Sequence, residues 1–429
     1  MSTVARESAA GTLWRLWRDP AAWATTADIV AVLVAISLPW STSLVGIFAT
    51  VWLVTVAPTL DLGLFLQSLK RPICALPIAL FVLAAVGTLW SDASWAARLY
   101  AVGPTAKLLM LPFLFYRYER SARGMWVFNA FLISCTLLMA MSWIVAFHPG
   151  LSLRRIDPEP GIFVKNYIDQ SQEFALCAVV LAYPVINLLR EKKIWPALLL
   201  SAIALSLVVN MAFVIVSRTA LVTMPVMLAV FALLHLKWRT NVIIFCAAIV
   251  LAGLAWASSP QLQRTVGSFV RDYEIYKDLN QPTSLGLRLV FWQKSLRFIA
   301  EAPIIGHGTG STRGLFEQAA TGPKVLAGGQ VVANPHNQTL NVAIQWGAIG
   351  IVVLYAMWLQ HMLLFRGDGL VTWIGLMVVV QNIFTSLFNS HIFDFHEGWM
   401  YVLGVGVAGG LLKQRQRRCC GVGSHVTDH

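Results

Sequence analysis

The stretch "VVANPHNQTLNVAIQWGAIG", Val331–Gly350, places a histidine directly before an apolar segment. The rest of the chain has a similar apolar character, because 57% of its 429 residues are hydrophobic and only 12% are charged. A soluble globular chain is about 25% charged. Apolar runs of about 20 residues, the length of a helix that crosses a bilayer, recur along the sequence. The sequence therefore predicts an all-α polytopic membrane protein.

The apolar runs predict about twelve transmembrane helices in a single integral membrane domain that covers residues 1–429. The chain has no evident linker, repeat or low-complexity tract that would divide it. The expected spans are 27–40, 42–59, 73–90, 99–116, 125–147, 173–189, 195–214, 219–236, 241–257, 339–363, 370–389 and 398–412.

The loops between these spans predict the orientation of the chain. Every loop on the face that carries both termini is short and basic, and short basic loops face the cytoplasm. Two longer loops, 149–172 and 258–338, lie on the opposite face, where long irregular loops are usually functional. Within the second loop, "LGLRLVFWQKSLRFIA" (Leu285–Ala300) predicts a short helix, which either lies at the membrane interface or packs against the rest of the loop.

The net charge of +12 could indicate a nucleic-acid partner, but much of the basic charge lies in the short loops that orient the chain, so we expect no such partner. The six cysteines have neither zinc-finger nor disulfide-framework spacing. Positive charge is also in excess on the outer face, where topology does not require it. The loop 258–338 holds eight basic and five acidic residues, which favours an anionic ligand or contact with anionic lipid.

One arginine interrupts an apolar segment, "MAFVIVSRTALVTMPVML". Arg218 is its single charge, and a central arginine in a span costs roughly 2.5–3.5 kcal/mol on insertion scales. Arg218 either binds a ligand together with the flanking hydroxyls of Ser217 and Thr219, or extends to the surface. Further along, "PIIGHGTG" (Pro303–Gly310) lacks the ending of a phosphate-binding loop, and predicts a turn that is either plain or close to a ligand.

The opening stretch contains a candidate general base. Asn334 suits a helix N-cap and Pro335 the first helical position, so we expect His336 and Asn337 in the first turn. The positive end of the helix binds anions and disfavours an imidazolium, which predicts a neutral His336 with a free lone pair near pH 7. A neutral imidazole can accept the proton of a hydroxyl. The alternative is a structural histidine that is hydrogen-bonded to the backbone.

Metal chemistry has weaker support in the sequence. The segment "NSHIFDFHEG" contains His391, Asp394, His396 and Glu397, but their spacing matches no strong metal-binding template. Asp92 in "LWSDASW" is an alternative acidic candidate, and we rank it below His336. We expect no metal and no other cofactor.

Several motifs occur in a recognisable order: Ser217-Arg218-Thr219, Gly286-x-Arg288, Pro303-Ile304-Ile305-Gly306, Pro335-His336-Asn337 and Trp346-Gly347-Ala348-Ile349-Gly350. This order resembles the bacterial O-antigen ligase and O-antigen polymerase superfamily over roughly residues 217–350.

The resemblance implies a GT-C-like glycosyltransferase of the bacterial inner membrane, with both termini in the cytoplasm and a periplasmic active site. Such enzymes move a glycan from undecaprenyl diphosphate, in ligases to a sugar hydroxyl of the lipid A–core oligosaccharide. His336 is then the expected base of a single inverting displacement. The expected residues that bind the diphosphate are Arg218, Arg288, Arg264, Arg154, Arg155 and Asn337.

Within this superfamily the chain length and the single large late loop are similar to ligases, and we favour that activity over a polymerase. A transporter or flippase for an anionic lipid-linked glycan is a further alternative. The apparent scarcity of ionisable residues at mid-depth and the lack of paired broken helices argue against it.

Overall fold

The computed structural model describes residues 19–153, 159–215, 217–235 and 237–423, and within these ranges it contains helices and no strand. Seventeen helices are described. They are α1 (Pro20–Ser37), α2 (Thr42–Val56), α3 (Leu62–Leu69), α4 (Pro72–Val86), α5 (Trp95–Ala106), α6 (Met110–Tyr118), α7 (Gly124–Phe147), α8 (Tyr167–Arg190), α9 (Ile194–Phe213), α10 (Arg218–His235), α11 (Trp238–Ser258), α12 (Pro260–Leu279), α13 (Ser284–Glu301), α14 (Thr312–Gln318), α15 (Gln338–Leu364), α16 (Leu370–Thr385) and α17 (Phe395–Gly423).

Nine helical segments in the described ranges are long and apolar enough to cross a membrane. They overlap nine of the twelve expected spans, and the all-helical membrane character is therefore confirmed. The other three expected spans fall on α10, α16 and α17, of which α10 and α16 contain shorter apolar helices. The number twelve stays a prediction. The nine segments are Pro20–Ser37, Thr42–Thr59, Pro72–Leu89, Trp95–Tyr118, Gly124–Phe147, Tyr167–Arg190, Ile194–Phe213, Trp238–Ser258 and Gln338–Leu364.

The long loop after α11 contains α12, α13 and α14, and the 20-residue α12 was not located in the sequence. The predicted helix over 285–300 is α13. Its buried side chains Phe291 and Phe298 form one apolar cluster with Phe316 of α14 and Ile344 of α15. Burial of each aromatic side chain contributes about 1.5–3 kcal/mol. This cluster holds the loop helices against the first half of α15.

α15 is broken at Gly347, whose φ is 57°. The glycine-rich turn supplies hydrogen bonds at the break: its Pro303 carbonyl accepts from the Ala348 N–H at 2.8 Å, and its Gly308 N–H donates to the Gln345 carbonyl at 2.8 Å. A Cβ on Gly347 would lie 2.4 Å from the Ile304 backbone. The turn and the break are therefore one unit, which explains why the two glycine-containing motifs occur together.

Basic loops from distant parts of the chain meet at one end of the bundle. The Glu119 carboxylate, 5% exposed, lies 2.8 Å from Arg71, 3.1 Å from Arg417 and 3.8 Å from Arg120. Arg71 precedes α4, whereas the N–H of Thr309, in the long loop, donates to the Gly87 carbonyl just after α4. The basic cluster and the long loop therefore lie at opposite ends of α4. Which end faces the cytoplasm stays a prediction.

Thiol labelling tests the predicted orientation at two exposed lysines. In a background without the other reactive cysteines, a Lys324→Cys variant should react with an impermeant thiol reagent in cells whose outer membrane is permeable. A Lys70→Cys variant should react only after lysis, because its loop belongs to the basic, cytoplasmic face. The reverse labelling pattern would contradict the orientation.

Candidate active site

A cavity of about 680 Å³ lies among the start of α10, the loop helices α12 and α13, and the segment before α8. Arg264 and Arg288 line it together with several hydroxyl groups. Arg264 is exposed and Arg288 is half-buried. The two arginines and the hydroxyls are groups that can bind an anion, and apolar side chains complete the lining. The hydroxyl-bearing lining residues include Ser217, Thr219, Thr265, Ser268 and Ser284, and the apolar ones include Ile162, Phe213, Val214 and Ile215.

The side chains of three expected arginines lie outside the described part of the structure. Arg218 is the first residue of α10, and the described residues on either side of it, Ser217 and Thr219, both line the cavity. Its own side chain lies outside the description. Arg154 and Arg155 also lie outside the described residues, which resume at Glu159, itself a lining residue. The roles of these three arginines stay predictions.

The expected start of α15 is wrong. α15 begins at Gln338 with Asn337 as its N-cap, and His336 precedes the helix with a φ of 56°. The Asn334 side chain instead forms a local turn, in which its Oδ1 accepts the His336 N–H at 2.9 Å. Asparagine competes in this way for nearby backbone donors, and histidine tolerates the left-handed region better than most residues. His336 therefore does not lie in the first turn of a helix.

The His336 ring is held between a segment after α16 and the long loop. Its Nδ1 lies 3.0 Å from the Asn389 Oδ1, and its ring stacks on Phe291, one turn from Arg288, at a centroid distance of 6.2 Å. Burial lowers the pKa of His336, and the Arg288 charge lowers it further, although the Asn389 hydrogen bond opposes them. The expected direction of the shift is confirmed, with burial as its largest cause. The ring is therefore neutral at pH 7.

Asn337 has a structural role at the start of α15. Its Oδ1 accepts the Leu340 N–H at 3.1 Å, and its Nδ2 donates to the Leu387 carbonyl at 3.2 Å. The side chain is 8% exposed. Both ends of its amide therefore bind the protein itself, and the expected contact of Asn337 with a diphosphate stays a prediction.

A group of three residues after α16 could hold a metal ion, since ligand atoms of His391, Asp394 and Glu397 lie within 4.8 Å of one another. Although burial opposes its protonation, the Glu397 and Asp394 carboxylates raise the pKa of His391 to about 9. Its Nδ1 lies 3.3 Å from Asp394 and 3.5 Å from Glu397. The Lys107 ammonium also donates to the Phe393 and Asp394 carbonyls. Because the protein supplies positive charge here, the group fits an ion pair better than a metal centre.

Asp92, the other acidic candidate, is exposed, and Ser94 rather than Asp92 caps α5.

A second buried polar group was not predicted. Lys165 Nζ lies 2.8 Å from His396 Nδ1 and 3.9 Å from Glu173, while His396 Nε2 lies 3.2 Å from Asp169. The signal in the sequence is "YIDQSQEF" at the start of α8, a polar stretch that lies mostly before the expected span 173–189. Asp169 and Glu173 occupy the first two turns of α8, so these charges lie at an end of the helix, next to the His391 group.

Residues 203–355 match the family model described as O-antigen ligase. The match covers 153 of the 429 residues and supports the resemblance to the O-antigen ligase and polymerase superfamily. The matched region runs from α9 to α15 and contains Arg218, Arg264, Arg288 and His336, whereas Asn389 and Asp394 follow it.

A protein of Haemophilus influenzae, described as uncharacterized, is 24% identical to this chain over 219 residues. The match covers 48% of this chain and 54% of the relative, so the chain spans about half of that relative's length.

The position of Arg288 in the cavity lining predicts the effect of replacing it with another basic residue. An Arg288→Lys variant should bind a polyprenyl diphosphate about 10–100-fold more weakly, because lysine lacks the planar fork that holds two phosphate oxygens. The measurement is the affinity of the purified protein for that lipid. Arg297→Lys is the matched control, since Arg297 lies on the same helix and pairs with Glu301 on an exposed face. Equal affinities of the two variants would contradict a phosphate contact at Arg288.

Proposed function

We propose that this protein is an inverting O-antigen ligase, a glycosyltransferase that moves O-antigen glycan from undecaprenyl diphosphate to a sugar hydroxyl of lipid A–core oligosaccharide. The observation that carries the proposal is the cavity lined by Arg264 and Arg288, with the His336 ring stacked on Phe291, one turn along α13 from Arg288. The superfamily match over residues 203–355 supports the class of reaction.

The cavity supplies what departure of a lipid diphosphate requires. As the bond between the anomeric carbon and oxygen breaks, the electron pair stays on the phosphate oxygen, and negative charge grows there. Bidentate hydrogen bonds from arginine stabilise such charge without donating a proton. Arg288 and Arg264 have this role, with Arg218, Arg154 and Arg155 as further contributors.

His336 has the complementary role of the base. A sugar hydroxyl is a weak nucleophile, and it attacks the anomeric carbon as its proton passes to the free nitrogen of the imidazole. Burial and the Arg288 charge lower the pKa of His336, which keeps that nitrogen unprotonated at pH 7. One direct attack opposite the leaving diphosphate inverts the anomeric centre. No metal or other cofactor takes part in this scheme.

The proposal places the protein in the inner membrane, with both termini in the cytoplasm and the loop 258–338 in the periplasm. Membrane lipids, the lipid-linked donor and the lipid A–core acceptor are its partners. The clustering of Arg71, Arg120 and Arg417 at the end of the bundle away from the long loop is consistent with this orientation. The GT-C-like architecture is likewise part of the proposal.

An O-antigen polymerase is the second candidate, because the superfamily includes both activities and the same residues would serve either acceptor. Product analysis separates them. Purified protein, lipid-linked O-antigen and lipid A–core are incubated with excess chelator. We expect a glycan joined to lipid A–core at an undiminished rate. A longer glycan still on undecaprenyl diphosphate would identify a polymerase, and a requirement for added divalent metal would contradict the metal-free mechanism.

His336 variants test the base directly. A His336→Ala variant should bind the donor normally but transfer glycan about 10²–10⁴-fold more slowly, the usual contribution of a positioned base. A His336→Gln variant should be similarly slow, because glutamine cannot take the proton.

The pH profile gives a second measurement. In the unmodified protein the transfer rate should fall as the pH drops through the pKa of His336, below the ordinary value of about 6.5, since protonation removes the lone pair. If the Ala variant lost donor binding instead of turnover, the general-base role would be wrong.

A further inference from the structure

The carboxamide of Asn389 lies between His336 and Asp394. Its Oδ1 is 3.0 Å from the His336 Nδ1 and 2.9 Å from the Asn334 Nδ2, and its Nδ2 is 2.6 Å from an Asp394 carboxylate oxygen. An amide has a donor end and an acceptor end, so its orientation determines whether it donates a hydrogen bond to the histidine or accepts one from it. Two independent contacts fix that orientation.

The first contact is with Asp394. An ionised carboxylate only accepts hydrogen bonds, so the group that approaches it at 2.6 Å must be the NH₂ end of Asn389. His391 Nδ1 lies 3.3 Å from the same carboxylate oxygen. The opposite orientation would place the Asn389 oxygen against a carboxylate. The oxygen of Asn389 must therefore face His336.

The second contact runs through Asn334. Its Oδ1 accepts from the His336 backbone N–H at 2.9 Å and from the Ser390 hydroxyl at 2.8 Å. A backbone N–H can only donate, which assigns the oxygen end of Asn334 without ambiguity. Its NH₂ end then faces Asn389 at 2.9 Å and needs an acceptor there. This assignment again requires the Asn389 oxygen at that position.

With its orientation fixed, Asn389 offers only an acceptor to the His336 ring, so Nδ1 must carry the proton. We propose that Asn389, anchored by Asp394, is a positioning residue that holds His336 as the Nδ1–H tautomer and leaves Nε2 as the nitrogen that takes the acceptor's proton. The tautomer follows from the contacts alone, and its role in catalysis rests on the proposed function. A base of the other tautomer would present a nitrogen that already carries hydrogen.

The same arrangement supports the imidazolium that forms during transfer. The charged groups that face His336 are Arg288 from α13 and Asp394 and His391 from the segment after α16. Arg288 and His391 disfavour the imidazolium, whereas Asp394 favours it, and Asn389 relays the polarisation of that carboxylate to Nδ1–H. Removing the Asp394 charge while keeping a hydrogen-bond acceptor should therefore weaken the base without changing its tautomer.

The direct test is nitrogen NMR of protein labelled with ¹⁵N-histidine, at a pH about one unit above the ordinary histidine pKa. The His336 signals are those that disappear in a His336→Gln variant. We expect a protonated Nδ1 and an unprotonated Nε2 in the unmodified protein, and loss of this preference in an Asn389→Leu variant. Asn129→Leu, at an exposed position of α7, is the control. An unmodified protein with the proton on Nε2, or an unchanged tautomer in Asn389→Leu, would overturn the proposal.

Kinetics provide the second readout. Asn389→Leu should lower kcat about 10- to 1000-fold, no more than His336→Ala does, while KM for the donor stays unchanged. Asp394→Asn should keep the Nδ1–H tautomer, since the new amide can still accept from Asn389, but move the acid limb of the rate profile to lower pH. Movement to higher pH, or none, would contradict the relay.

If Asn389→Leu failed to fold, the tautomer of the unmodified protein and the pH profile of Asp394→Asn would still test the proposal. Glycan transfer with the wrong tautomer would refute this inference alone. The Nδ1–H tautomer in a protein that transfers no glycan would refute the proposed function alone.

Discussion

The site depends on one constraint: Asn337 and Gln338 are buried where the chain enters α15, so their polar groups need partners inside the protein. The segment after α16 provides them. Gln338 donates its N–H to the Ser386 carbonyl and accepts the Ile392 N–H on its side chain, and Asn337 donates to the Leu387 carbonyl. These bonds join the start of α15 to the end of α16. His336 therefore lies outside the helix, and its ring stacks on Phe291 of α13.

The fold could be predicted from the sequence to the extent that it is local. Each apolar run lies on a helix, because spacing and length within one segment are enough to indicate it. The start of α15 was predicted three residues early, since Asn334 and Asn337 are both good caps and the sequence alone does not choose between them. The choice comes from two residues between α16 and α17. Ser390 binds the Asn334 side chain, and Leu387 binds the Asn337 side chain.

The candidate site was only partly predictable for a related reason. Arg264, Arg288 and His336 stand out because charge or imidazole is unusual beside apolar runs. Asn389 does not stand out, since its role depends on a carboxylate and a histidine that reach it through the folded chain. Lys165 and His396 are separated by 231 positions and still lie 2.8 Å apart. No pattern within a window of sequence contains such a pair.

That separation has a consequence for biosynthesis. The loop that carries Asn389 and Asp394 leaves the ribosome after Arg264, Arg288, His336 and most of the apolar helices. The Lys107 ammonium likewise binds carbonyls that lie 286 and 287 residues downstream. A nascent chain therefore lacks the groups that fix the His336 ring until the segment between α16 and α17 has been synthesised. A translation product that stops before Asn389 would keep Arg264, Arg288 and His336 but leave the His336 ring without its hydrogen-bond partner.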